Sequence, residues 1–116
     1  MNRVALALLI ALCSCGSVET HHYATAPPRA STEDAAVVPD IPARPFVEAG
    51  FVQAIAYGTE AVPAAVTRAL AREGRAMGCD AVVRTRIDEA PGMLHASGVC
   101  VRWVVQLPQE AAPATK

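Results

Sequence analysis

The sequence lacks most of the patterns that identify an enzyme or a nucleic-acid-binding protein. Aromatic residues make up only 4% of its 116 residues, and the formal net charge is −1. Lys and Arg do not form a basic patch that could neutralise the phosphates of a nucleic acid. No Ser/His/Asp arrangement, glycine-rich phosphate loop or carboxylate pair suited to a cleft is evident. We therefore expect no enzymatic activity, no cofactor and no nucleic acid partner.

Long hydrophobic runs are also absent, and the most apolar run is residues 4–12. As a helix this run would rise about 13 Å, less than half of the roughly 30 Å hydrocarbon core of a bilayer, so it cannot span one. Arg3 precedes the run, and small residues and cysteines follow it. This pattern is typical of a bacterial export signal, which we predict over residues 1–14.

The signal ends in Leu12-Cys13-Ser14-Cys15, which resembles the bacterial lipobox. We predict lipid attachment at Cys15, because Leu12 stands three residues before it and Ser14 directly before it. Two alternatives remain, namely Cys13 as the acceptor and plain secretion with both cysteines free. Several acyl chains would anchor the protein stably, at about 0.8 kcal/mol per buried methylene. Since Gly16 and not Asp follows, analogy favours the outer membrane, with the protein facing the periplasm.

Composition divides the rest of the chain into three parts. Residues 15–45 carry the predicted lipidated cysteine and no helical or strand period, so we predict a disordered tether there. The prolines of this stretch are Pro27, Pro28, Pro39, Pro42 and Pro45. A compact domain is predicted over 46–107 and a disordered tail over 108–116. A domain of some sixty residues is marginally stable, and a disulfide or oligomerisation would stabilise it.

The first half of the domain is predicted to form a strand followed by a helix. Residues 47–57 are rich in β-branched and aromatic side chains, and Gly50 interrupts them where a β-bulge would fit. From Val62 the pattern becomes helical, with Pro63 in the first turn and Gly78 placed to end the helix. The predicted apolar stripe is Val66, Ala69, Leu70 and Met77, and the opposite face carries Arg68, Arg72 and Arg75. Gly74 inside the helix indicates close packing on the sheet.

The second half is predicted to form two strands joined by a turn at Pro91-Gly92. Residues 81–88 alternate, which predicts one face made of Ala81, Val83, Thr85 and Ile87. Residues 94–107 predict a longer strand, whose inward residues are Val99, Val101, Trp103 and Val105, with Arg102 facing outward. The predicted fold class is α+β, in the order β-α-β-β, with one helix packed on a three-stranded, mainly antiparallel sheet.

Cys79 and Cys100 are the cysteines of the predicted domain. A disulfide between them is one interpretation, since the bacterial envelope is oxidising and a loop of this size would contribute about 3 kcal/mol. The alternatives are two small buried thiols, an intermolecular bond or a metal site. Strand parity places Cys100 on the face of Arg102, so a bridge requires Cys79 to lie just before regular strand pairing begins.

Two segments carry a resemblance to a known family. They are Ala71-Arg72-Glu73-Gly74-Arg75-Ala76-Met77-Gly78-Cys79-Asp80-Ala81-Val82-Val83 and Ala96-Ser97-Gly98-Val99-Cys100-Val101-Arg102. They resemble the YbjQ-like family, described as heavy-metal-binding, whose small α/β unit also occurs in RcsF-like outer-membrane lipoproteins that sense envelope stress. The resemblance spans 47–105 and implies the same fold. It does not imply the sensor's disulfide scheme, because Arg86 stands where that scheme pairs a cysteine with the position of Cys100.

Candidate ligand residues are few. His21 and His22, with Glu19 nearby, are weak candidates for a metal, alone or together with His95 and the domain cysteines. The sequence has no Cys-x-x-Cys or His-x-x-x-His spacing, so we predict no metal. We interpret Asp80 as a turn residue bonded to local backbone, and Asp88 and Glu89 as part of a solvated turn.

Three functional hypotheses follow from these patterns. The leading one is a non-catalytic structural or interaction lipoprotein, anchored to the membrane, whose domain docks on another envelope protein or on itself. The docking surface would be a sheet edge or the face that carries Val82 and Val104. The alternatives are an RcsF-like sensor of envelope stress and a metal- or redox-binding lipoprotein that uses Cys79 and Cys100. Fold resemblance alone does not decide between them.

Overall fold

The structure, a computed structural model, describes residues 16–105. The predicted signal over 1–14, the lipid attachment at Cys15 with its alternative Cys13, and the tail over 108–116 lie outside the described residues. Within 16–105, no helix has both the length and the apolar character needed to cross a membrane.

One helix packs on a five-stranded mixed sheet. The elements are β1 (Ser17–Ala24), β2 (Ala36–Val37), β3 (Phe46–Tyr57), a 3₁₀ turn (Gly58–Glu60), α1 (Pro63–Met77), β4 (Ala81–Ala90) and β5 (Met93–Trp103). The strand order across the sheet is β1-β3-β5-β4-β2. The short β2 runs parallel to β4, and the other neighbours are antiparallel. The α+β class is therefore confirmed, whereas the predicted three-stranded sheet is wrong in strand number and order.

Both additional strands lie in the stretch 15–45, where we predicted a tether without strands. β1 pairs with β3 along its whole length, from Ser17 opposite Tyr57 to Ala24 opposite Gly50. Every residue of β1 is exposed, so the strand has no buried hydrophobic face from which a period of two could be detected. Its position is set by pairing with β3. The prolines of this stretch fall in the connections between the strands.

The strand β3 contains the predicted bulge. Its register against β5 shifts between Glu48 and Gly50, and Gly50 has φ 151°. A Cβ atom on Gly50 would collide with the carbonyl oxygen of Tyr23 and lie 2.6 Å from Cε of Met77. Glycine at this position therefore lets β1 and the end of α1 approach the same point of β3.

The predicted limits of the helix are also confirmed. α1 begins at Pro63 and ends before Gly78, which adopts the left-handed conformation (φ 77°, ψ 31°). The buried residues of α1 are Ala65, Val66, Ala69, Leu70, Gly74 and Met77, and Arg68, Arg72 and Arg75 are exposed. A Cβ on Gly74 would lie 2.7 Å from Cβ of Ala35 and 3.0 Å from Cγ2 of Val82. Gly74 therefore does pack closely, against β4 and also against the N-terminal segment.

The core is split between the two faces of the sheet. The main cluster lies under α1, and a smaller cluster on the opposite face is formed by Ala81, Val83 and Val101. The smaller cluster is covered by Val38, Phe46, Val99 and Trp103. The guanidinium of Arg44 stacks over the Trp103 ring at 4.6 Å from its centroid.

The residues of β5 that we predicted to face inward lie on the face of the sheet opposite α1, where Val101 is buried and Val99 and Trp103 pack against it, but Val105 is exposed. Under α1, β5 contributes the small residues Ala96 and Cys100 together with Leu94, whereas its valines occupy the other face. The bulk of the β5 side chains therefore does not identify the face that packs on α1.

The predicted alternation of β4 fails at a second bulge, between Val83 and Arg86. Val83 belongs to the smaller cluster, whereas the side chain of Thr85 lies on the α1 side, beside Gly98. Val82 is completely buried under α1. Since Val104 is exposed, the two residues do not form the common docking face that we predicted.

Candidate functional site

The cysteine pair lies in the core under α1. Cys79 follows the end of α1 and precedes β4, and its N–H donates to the carbonyl of Gly74 at 2.8 Å. Its Cα is 5.5 Å from the Cα of Cys100, and the two sulfur atoms are at bonding distance. This arrangement is compatible with a disulfide, and Cys79 lies just before regular pairing, as a bridge requires. Both residues are buried, so in this state neither faces a substrate or a metal in solution.

Asp80 joins distant parts of the chain, in contrast to the local turn role that we predicted. Its Oδ1 accepts a hydrogen bond from Nη2 of Arg29 at 2.7 Å, and its Oδ2 accepts one from the backbone N–H of Trp103 at 2.8 Å. Nη2 of Arg102 donates to the carbonyls of Pro27 and Met77, at 2.7 and 2.9 Å. These bonds fasten the segment after β1 to the end of α1, which is a structural role.

The structure separates the histidines that we considered as metal ligands. His21 and His22 are adjacent on β1, so their side chains point to opposite faces. Nδ1 of His22 is 2.5 Å from Oε2 of Glu73 on α1, whereas Nε2 of His21 is 3.9 Å from Oε2 of Glu19. Nε2 of His95 is 3.0 Å from Oε1 of Gln53. Over residues 16–105, no group of three or more His, Cys, Asp and Glu could hold a metal ion.

A concave surface forms a groove on the face of the sheet opposite α1. Its volume is about 550 Å³, and strands β1, β3, β4 and β5 all contribute to its lining. The apolar part of the lining includes Tyr23, Phe51 and Val99, and the positive part is Arg84 and Arg86. Tyr23 is 70% exposed and Phe51 52% exposed, although both are large aromatic residues. We call this surface the open-face groove.

The backbone is strained at one point of this groove. Arg84 has φ 52°, and among the described residues it is the one non-glycine with positive φ. This left-handed conformation costs an L-residue about 1–2 kcal/mol. It occurs at the bulge of β4, and such strained positions concentrate at functional sites. Arg86 lies 3.6 Å from Asp88, whereas Arg84 has no ion pair within 16–105.

Sequence reasoning missed this groove. Tyr23 and Phe51 are separated by 28 positions, and they become neighbours only because β1 pairs with β3 in the register that sets Tyr23 opposite Phe51. A sequence analysis that does not predict β1 therefore has no pattern that connects these two residues. Arg84 and Arg86 follow alternating positions of a strand, and that spacing is equally typical of any solvated strand face.

The comparisons with known proteins assign the chain to no family. No family model, no curated protein and no solved structure matches the chain. The resemblance to the YbjQ-like and RcsF-like family therefore stays a prediction.

Proposed function

We propose that the chain is a membrane-anchored envelope lipoprotein whose folded domain is a non-catalytic protein-interaction module. The observation that carries this proposal is the open-face groove, where exposed Tyr23 and Phe51 lie beside Arg84 and Arg86. Protein interfaces are enriched in aromatic residues and arginine, with apolar side chains at the centre and charges at the rim. The groove has this composition.

We propose as the occupant of the groove an extended segment of another envelope protein that presents an apolar side chain flanked by Asp or Glu. Covering the exposed part of Phe51 or Tyr23, which is 52% and 70% of each residue, would contribute about 1–2 kcal/mol each, because that part of the ring is removed from water. Carboxylates of the occupant would pair with Arg84 and Arg86, and Arg is the residue that binds carboxylates with two parallel hydrogen bonds. An acidic and apolar occupant therefore satisfies both parts of the lining.

The anchor of this proposed lipoprotein would lie directly beside the folded domain. The N–H of Gly16 donates to Oγ1 of Thr59 at 2.9 Å, and β1 begins at Ser17. With the lipid on Cys15, a single Cα–Cα step of about 3.8 Å separates the lipidated residue from Gly16. The domain would then act at the membrane surface itself, and not at the end of a long tether as we expected from the composition of residues 15–45.

The cysteine pair supports a structural role within this proposal. We propose that Cys79 and Cys100 form a disulfide that ties the end of α1 to the central strand β5. Because both residues are buried under α1, exchange with another thiol would require the core to open. A redox or metal-binding function that uses these cysteines is therefore less well supported than an interaction function.

Photo-crosslinking of the full-length protein in cells tests the proposal. A photoreactive phenylalanine analogue replaces Phe51 in the groove, or Val47 as a matched control on the same strand, where the exposed fraction is 54%. We expect a discrete adduct at position 51 and none at position 47. The crosslinked peptide should contain Asp or Glu beside an apolar residue, and the Arg84→Glu substitution should remove the adduct.

Three results would contradict the proposal. They are no adduct at position 51, the same adducts at positions 51 and 47, or an adduct that Arg84→Glu does not affect. Each would show that the groove is not the surface on which an acidic partner docks.

A further inference from the structure

The strand β1 forms one edge of the sheet and has β3 as its only neighbour strand among the described elements. The N–H of Thr25, just beyond β1, donates to Ala49 on the β3 side at 2.9 Å. Because backbone groups alternate in direction along an antiparallel strand, the odd-numbered residues of β1 bond to β3. The N–H and C=O groups of the even-numbered residues therefore point away from the sheet. These residues are Val18, Thr20, His22 and Ala24.

This edge carries few of the usual features that prevent strand pairing. β1 is eight residues long and contains no proline, and its register against β3 is continuous, without a bulge. Its one acidic or basic residue other than histidine is Glu19. Natural proteins normally block such an edge with a short strand, a bulge, proline or charges, since it would otherwise pair with another chain.

The opposite edge of the same sheet is blocked by a short strand, a bulge and charged residues. β2 covers the beginning of β4, and the N–H groups of Arg84 and Thr85 donate to the segment that follows β2. A bulge lies between Val83 and Arg86, and the remainder of β4 carries Asp88 and Glu89. The contrast between the two edges indicates that the outer edge of β1 is available for pairing with another strand.

We infer that β1 pairs with β1 of a second copy of this chain, antiparallel, about a two-fold axis at Thr20. This inference names a second partner for the interaction module proposed above and rests on that function. The result is a ten-stranded sheet with both α1 helices on one face and both open-face grooves on the other.

Four symmetric registers place outward backbone groups opposite each other, keep the two faces aligned and pair at least five residues of each β1. Their two-fold axes lie at Glu19, Thr20, His21 or His22. With the axis at His22, Glu19 lies outside the paired residues. An axis at Glu19 sets two carboxylates against each other, and an axis at His21 sets two imidazoles against each other. Only the axis at Thr20 pairs Glu19 with His21 of the second copy, and it does so twice. A carboxylate accepts a hydrogen bond from the N–H of a directly opposed imidazole, whereas two opposed carboxylates repel each other, so this register is favoured.

The surroundings of β1 are compatible with this pairing. Glu19 and His21 lie on odd positions, where opposed residues do not exchange hydrogen bonds and their side chains are closest, with Cα atoms about 4.5 Å apart. On the other face, a shallow groove between β1 and α1 is lined by residues of both signs. The charged residues there are Glu60, Arg68, Arg72 and Glu73. Their formal charges cancel, so no single-sign field opposes the approach of a second copy.

Photo-crosslinking at Thr20 tests the inference in the full-length protein in cells. A photoreactive residue at position 20 should give an adduct with twice the mass of the chain, whose crosslinked peptide contains residues 17–24 of a second copy. His21→Glu and Glu19→His each replace both favourable pairs with like pairs, and each should lower the dimer yield about tenfold. The double substitution Glu19→His with His21→Glu restores two Glu–His pairs and should recover the yield.

Two results would overturn the inference. One is an adduct at position 20 that contains only another protein, or no adduct. The other is a double variant that dimerises no better than either single variant. Since all the substitutions lie on exposed positions, an unchanged melting temperature confirms that each variant folds. Crosslinking at Phe51 reports the groove partner separately, so a failed groove proposal with an intact dimer, or the reverse, can be distinguished.

Discussion

Tyr23 of β1 lies directly opposite Phe51 of β3, on the face of the sheet that α1 leaves open. Both rings belong to the lining of the open-face groove, and both are more than half exposed. Two large aromatic side chains that stay exposed on neighbouring strands contribute to an apolar surface patch, and such patches mark interaction sites. This pair is the basis of the proposed interaction function, and the predictions below test the structure that holds it in place.

Arg84→Gly is expected to stabilise the fold and weaken partner binding. Glycine adopts positive φ without the steric cost that Arg84 bears at φ 52°, so the free energy of unfolding should rise by about 1 kcal/mol. Arg86→Gly is the control, since glycine at a strand position with negative φ should lower it by about 0.5–1 kcal/mol. Denaturant unfolding of both variants checks the prediction, and a destabilised Arg84→Gly would contradict it.

Gly74→Ala is expected to destabilise the fold although alanine favours a helix. The added Cβ would lie 2.7 Å from Cβ of Ala35, and overpacking of this kind costs about 1–3 kcal/mol. The second substitution Ala35→Gly removes the clashing atom, so the double variant should regain part of the loss. Thermal unfolding of the single and double variants provides the measurement. Equal stability of Gly74→Ala and wild type would show that α1 does not pack on the N-terminal segment as described.

Reduction of the proposed disulfide should lower stability without abolishing the fold. The loop closed by Cys79 and Cys100 has a sequence separation of 21, which corresponds to about 3 kcal/mol of stabilisation. Unfolding by urea with and without a reductant measures this difference. The Cys79→Ser/Cys100→Ser variant serves as the control, because a reductant should not change its stability. An equal effect of reductant on both proteins would count against the disulfide.

Asp80→Ala should release the segment between β1 and β2. It leaves the part-buried N–H of Trp103 without its acceptor, which costs about 1 kcal/mol, and it breaks the exposed ion pair with Arg29, which contributes less. We expect faster cleavage by trypsin after Arg29, followed by mass spectrometry of the fragments. Asp88→Ala, which alters an exposed pair with Arg86, is the control and should leave the cleavage rate unchanged.

The elements marked by local signals could be predicted from the sequence. Pro63 and Gly78 define the ends of α1, and Gly50 marks the bulge of β3, because each of these residues has a conformational reason to stand where it does. The face of β5 that packs on α1 could not be predicted. It depends on how closely α1 approaches Ala96, which is a property of the packed structure.

The strand β1 is the main feature that sequence reasoning missed, and the candidate site was missed with it. On its helix-facing side it carries Val18, Thr20 and His22, which do not form an apolar stripe. The place of β1 in the sheet is determined by its pairing with β3, because its own composition does not predict a strand. Since Tyr23 reaches Phe51 only through this pairing, neither the groove nor the unblocked edge could be derived from residue patterns alone.

Comparative affinity purification of the lipidated full-length chain is the most direct test of the proposed interaction through the open-face groove. Phe51→Asp and Val47→Asp introduce the same charge at sites of similar exposure on β3, 52% and 54%, but only the first lies in the groove. Quantitative mass spectrometry should show one envelope protein that wild type and Val47→Asp retain and Phe51→Asp loses by at least about tenfold, or about 1.4 kcal/mol. Equal recovery of every bound protein by the two variants would contradict the account.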